Sequence, residues 1–149
     1  MATSFSTVYD YFMLIVDDYT LINLYNTNVT DFETYLSGFL IRAIGDFDTC
    51  NQSLVYSNTS FTATLTQTNI NILAYLMKKY WLERVIDDIK QMNMMITDHD
   101  FKRFSESQNM TSKLNRYREM KEEVSQKLLE YGYKNNDWAS WINGTFWSG

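Results

Sequence analysis

The sequence predicts an all-α protein: a small bundle of about four main helices, with a long polar connection and an extended aromatic C-terminal tail. Proline is absent and only five glycines occur in 149 residues, so long helices meet few breakers. Apolar residues make up 45% of the chain and recur at helical spacings over several turns. This length can bury a hydrophobic core without metals or disulfides, which favours one helical domain over residues 1–133 and a tail or docking arm over 134–149.

Ser4 or Ser6 is placed to cap a first helix running to about Val16, with Val8, Tyr11, Phe12 and Ile15 on one side. Leu21, Ile22, Leu24 and Tyr25 suggest a further turn of helix before the polar Asn26-Thr27-Asn28. The next helix starts near Thr30. Asp31 and Glu33 suit its positive end, and Phe32, Tyr35, Leu36, Phe39, Leu40, Ala43, Ile44 and Phe47 form its apolar stripe.

Residues 48–66 are rich in Thr, Ser and Asn and read as a connection, long enough to bind something or to flex, with a short extended piece over 62–66. Thr66 or Thr68 then caps a third helix to about Gln91, the expected central strut. It carries two stripes. Ile70, Leu73, Ala74, Met77, Trp81 and Val85 form one; Ile72, Leu76 and Ile86 form a second, which either completes the chain's own core or meets a neighbouring subunit.

Thr97 or Asp98 is placed to cap a short helix through Phe104, followed by polar residues 105–109. The last long helix spans about Ser112 to Tyr131, with Met110, Leu114, Tyr117, Val124, Leu128 and Tyr131 inward and a charged outer face. Its inner spacing alternates four and three except at Lys121. Beyond it lie Trp138, Trp141, Phe146 and Trp147, three of the four tryptophans among them. Such a segment either covers its own core or docks on a partner, aromatic anchors being the usual carriers of interface energy.

Charge is unevenly distributed. Residues 1–77 hold Asp10, Asp17, Asp18, Asp31, Glu33, Asp46 and Asp48 against Arg42 alone, whereas the remainder holds twelve basic and eleven acidic residues. Stable duplex binding needs clustered Lys and Arg, which disfavours a nucleic-acid-binding first half. Lys113, Arg116, Arg118 and Lys121 alternate with acids.

A single cysteine, Cys50, closes no intrachain disulfide, and no basic residue precedes the short apolar run from Tyr11 to Val16. The expectation is a soluble chain without a membrane partner, made in the cytoplasm or carried within a particle assembled there. Five Asn-x-Ser/Thr matches follow from an Asn- and Thr-rich composition. Asp98-His99-Asp100 reads as a helix cap, because no second His completes a ligand set. Neither Cys50 and His99 nor any Gly-rich phosphate loop makes a recognisable catalytic arrangement, so neither an enzyme nor a cofactor is expected.

The order of segments resembles the small helical head-tail connector, or adaptor, proteins of tailed bacteriophages. The resemblance is carried by an aromatic first helix, then Phe39-Leu40-Ile41-Arg42-Ala43-Ile44 with an Asp-Phe pair behind it. Leu65-Thr66, Asn69 to Ala74, Leu76-Met77 and Trp81-Leu82 follow, and then Asp98 to Lys102 with Ser105 before a charged helix. It covers about residues 5–133; the segment after Tyr133 has no counterpart.

It implies a structural virion protein without an active site: a homo-oligomeric ring, commonly of twelve copies, beneath the portal protein at the head-tail interface. Such a ring continues the channel through which genomic DNA passes without specific binding, and offers a platform to a neck or tail completion protein. On that view Trp138, Trp141, Phe146 and Trp147 dock on the portal, and Ile72, Leu76 and Ile86 join neighbouring copies. Asp17, Asp18, Asp31, Glu33, Asp46 and Asp48 would line the channel, where like charge repels DNA. The alternatives are a neck or stopper protein one level below, or a small terminase-like DNA-binding protein using Lys113, Arg116, Arg118 and Lys121.

Overall fold

The computed structural model describes residues 2–95 and 100–135. The described chain is mostly helical, five helices packed together with a minimal two-stranded sheet. Helix α1 spans Phe5–Ile15, capped by Ser4, whose hydroxyl accepts from the Ser6 amide. Helix α2 spans Tyr19–Thr27; the carboxylate of Asp18 accepts from the Thr20 amide at 2.8 Å. What the sequence suggests as a single turn is therefore a complete helix. Its start is fixed by a side-chain acceptor satisfying one of the orphan amides of the first turn.

Helix α3 spans Val29–Asp46 and begins one residue before the expected start at Thr30. Asn28 caps it, accepting from the Asp31 amide while its own amide group donates to the Asp31 carboxylate at 2.9 Å. Phe32, Leu36, Phe39, Leu40 and Ala43 form its buried stripe, and Phe47, just past its end, is also buried.

The connection after α3 is more tightly held than a free polar linker. It contains a hairpin of β1, Tyr56–Ser57, and β2, Ser60–Phe61, paired antiparallel. The extended piece thus precedes the stretch expected for it. Asn58 in the hairpin loop has φ 56°, a left-handed conformation that Asn tolerates better than branched residues.

The N-terminal residues join this hairpin. The Phe61 amide donates to the Thr3 carbonyl and the Phe5 amide to the Thr59 carbonyl, each at 2.8 Å. Phe5 then packs on Phe61 and Tyr56 with ring centroids 5.1 and 5.3 Å apart. Gln52 closes the other side, donating to the Thr64 carbonyl and accepting from the Thr66 amide. Backbone groups that would have required water are satisfied internally, which removes the freedom expected of a connection this long.

Helix α4, Gln67–Met95, is the central strut, with Thr66 accepting from the Asn69 amide at its start. It packs against α1, α3 and α5. Enclosure on three sides explains its double apolar pattern: Ile72, Leu76 and Ile86 are buried, at 6%, 1% and 4% exposure, together with Ile70, Leu73, Ala74 and Met77. The assignment of Ile72, Leu76 and Ile86 to a contact between subunits is corrected accordingly, because the chain's own helices occupy the space a neighbour would need.

The charged C-terminal helix is longer than the sequence suggests. Helix α5 runs unbroken over Asp100–Asn135, about 54 Å at 1.5 Å per residue. Residues 105–109 do not interrupt it. Their Ser, Gln and Asn cost only a few tenths of a kcal/mol each in a helix, and neither Pro nor Gly intervenes before Gly132. Met120, Val124 and Tyr131 are buried against the core. Met120, one residue before Lys121, fills the apparent gap in the inner stripe. Tyr117 beside Glu83, Lys127 over the Tyr75 ring and Tyr131 beside Asn51 show α5 running antiparallel to α4.

Candidate docking surface

Helix α2 buries little. Leu21 is its buried residue, Leu24 is half-buried, and the helix rests principally on α3. Tyr19, Ile22 and Tyr25, three residues apart and therefore on one side, are 79%, 39% and 51% exposed. Leu14 at the end of α1 and Val29 at the start of α3 are exposed beside them in sequence. Residues 19–30 contain no charge. One edge is held in place, since the Tyr25 ring meets Phe32 edge-on at 5.2 Å. A run of large apolar side chains without charge on a peripheral helix is a surface suited to a partner.

Next to this corner lies a groove of about 540 Å³ between the α1–α2 junction, α4 and α5. Val16, Trp81, Leu82 and Met120 supply apolar walls; Lys78, Lys113 and Arg116 line it together with Asp17, Asp18, Glu119 and Glu123. Burial pushes the Lys78 ammonium pKa down; Glu123 opposes that shift and Arg116 adds to it. The mixture of signs matters more than the cations alone. Lys113 and Arg116 are set among carboxylates instead of forming a uniform basic face of the kind that holds a duplex.

The acidic residues expected to line a channel do not share one role. Asp18 caps α2, Asp31 completes the cap of α3, and Asp46 pairs with Lys79 at 3.5 Å and accepts from the Tyr80 hydroxyl. Asp17, Glu33 and Asp48 are exposed. Burial, then the hydrogen bond to Asp46, pushes the Tyr80 pKa up to about 12. Tyr9 is likewise raised to about 12, by burial first and then by Glu33.

A polar cluster fastens the far end of α5. The Asn51 amide donates to the Tyr131 hydroxyl oxygen at 2.8 Å, and that hydroxyl donates to Asn51 Oδ1 at 2.5 Å. Asn69, 1% exposed, donates to Asn51 at 3.1 Å and to Gln52 at 2.6 Å, while its Oδ1 has no partner among the described residues. Half-buried Cys50 lies 4.0 Å from the Tyr131 hydroxyl, which burial makes harder to ionise. These groups hold one another, and their arrangement is structural.

Trp138, Trp141, Phe146 and Trp147, assigned to portal docking, lie outside the described residues, as does His99. Among the described residues no cluster of three or more His, Cys, Asp or Glu is placed to hold a metal, and no helix is long and apolar enough to cross a membrane. The exposed face of α2 escaped the sequence reading, although its signal was present. Tyr19, Ile22 and Tyr25 are spaced as one side of a helix whose other side is Leu21 and Leu24. The groove had no such signal, since it depends on how α5 lies across α4.

Comparison with protein-family models, with curated proteins and with solved structures finds no match to this chain.

Proposed function

We propose that this chain is a structural subunit of a head-tail connector in a tailed bacteriophage. It forms a homo-oligomeric ring beneath the portal protein, continues the DNA channel and seats a neck or tail completion protein. The observation that carries this reading is the uncharged apolar face of α2, which gives a helical chain a surface for protein contact. The segment order that resembles adaptor proteins supports it. So does the scarcity of basic residues in the first half, where the exposed Asp17, Glu33 and Asp48 suit a wall that passing DNA must not adhere to.

A stopper protein one level below would use the same kind of surface but would bind the portal only through an intermediate. A terminase-like protein would hold DNA through Lys113, Arg116, Arg118 and Lys121; the carboxylates around Lys113 and Arg116 count against that. Electron microscopy of purified portal mixed with this protein tests the proposal. A ring of added density on one face of the portal is expected, and a portal left bare would overturn the reading. Retention on DNA-cellulose that falls steeply with salt would support the DNA-binding alternative.

A further inference from the structure

We infer that the aromatic segment 136–149 of one copy seats on the α2 face of the next copy. The inference rests on the connector reading for its ring, and adds to it the contact that would join the subunits.

The end of α5 and the exposed face of α2 lie toward opposite ends of the described structure. Tyr131 packs edge-on against Phe47 at 5.1 Å, so the close of α5 sits at the end of α3. Val29, where α2 passes into α3, is the opposite end of that eighteen-residue helix, about 27 Å away. The start of α2 lies nearer: Asp17 and Asp18 share a groove with Glu119 of α5, twelve residues before Tyr131. That is still about 18 Å of helix from Tyr131. Helix α5 heads away from α2, and its last four residues after Tyr131 add about 6 Å.

Chain length then limits which copy Trp138 and Trp141 can reach, whereas Phe146 and Trp147, eleven and twelve residues past Asn135, have the length to reach either. Trp138 and Trp141 follow Asn135 by three and six residues, and a fully extended chain spans at most about 3.6 Å per residue. Their backbones therefore extend no more than about 11 and 22 Å, against the roughly 24 Å to the nearest edge of the chain's own α2. Trp138 cannot cover that face, and Trp141 meets at most its rim. A second copy has no such restriction.

Chemistry matches the two surfaces. Residues 138–149 carry no charge, nor do residues 19–30, and both set aromatic side chains among uncharged polar ones. Interface centres favour aromatic residues and exclude charge in this way. A contact between an arm at one end and a face at the other is heterologous, and repeating it generates a ring when the rotation closes.

Two full-length variants test this. One carries Tyr19→Ser with Ile22→Ser, spoiling the face; the other carries Trp138→Ser with Trp141→Ser, spoiling the arm. Wild-type protein is expected to self-associate with rising concentration, with a blue shift of tryptophan emission. Each variant alone should associate at least tenfold more weakly while keeping the wild-type circular dichroism. Mixed together, the intact arm of the first should fit the intact face of the second, giving a one-to-one pair by light scattering that grows no further.

Wild-type protein that stays monomeric, variants that associate as wild type does, or a mixture without pairs would each overturn the inference. An arm variant that melts early with altered circular dichroism would also do so, assigning the arm to its own core, as would one that loses only portal binding. Rings formed on the portal by both variants would leave the connector reading intact and remove this contact. Pair formation with a bare portal would do the reverse.

Discussion

Tyr131 and Asn51, eighty residues apart, exchange two hydrogen bonds: the tyrosine hydroxyl donates to the asparagine side chain at 2.5 Å and accepts from its backbone amide at 2.8 Å. Tyr131→Phe keeps the ring against Phe47 and removes both bonds. A cost of about 1–2 kcal/mol is expected, read as a lower urea midpoint with unchanged slope. A change below about 0.3 kcal/mol would show that water replaces the hydroxyl without loss.

Leu76 is 1% exposed in the middle of α4. Leu76→Ala should destabilise the folded chain by about 2–5 kcal/mol, the transfer loss plus the cavity left behind. Thermal or urea unfolding of monomeric protein checks this. A variant as stable as wild type yet unable to assemble would return Leu76, Ile72 and Ile86 to a subunit contact.

Tyr80 ties stability to alkaline pH. Its folded pKa of about 12 lies above the ordinary 10.0, so the protonated phenol is favoured by folding. That contribution is complete below pH 10 and is lost as pH rises through about 12. The wild-type unfolding midpoint should drop across that window, and Tyr80→Phe should show a shallower drop from a lower starting value. Tyr9, raised to the same value, keeps the residual slope from vanishing.

Asn58 occupies φ 56° in the hairpin loop. Asn58→Val places a branched side chain in a conformation it resists, and a loss of about 1–2 kcal/mol is expected. Asn58→Gly should be neutral within about 0.5 kcal/mol. Thermal melts of the two variants provide the comparison.

Much of the helical framework was legible because its signals are local. Ser4 and Thr66 cap where an N-cap residue before an apolar repeat predicts, and the stripe from Phe32 to Phe47 reads directly as the inner side of α3. What escaped depends on partners distant in sequence. The hairpin is fixed by Thr3 and Phe5, more than fifty residues earlier, so periodicity within 48–66 could not place it. The continuity of α5 through residues 105–109 was hidden because polarity was read as interruption, whereas a solvated helix tolerates it. Ile72, Leu76 and Ile86 were ambiguous for a related reason: a stripe reveals that a side chain must be covered, but not by which helix.

The enclosure of α4 also sets an order of events during synthesis. At roughly 5–20 residues per second, the thirty-six residues of α5 emerge about 2–7 s after α4 has left the ribosome. Until Met120, Val124 and Tyr131 arrive, the nascent chain has one greasy flank bare, and that interval is when molecular chaperones have most to protect.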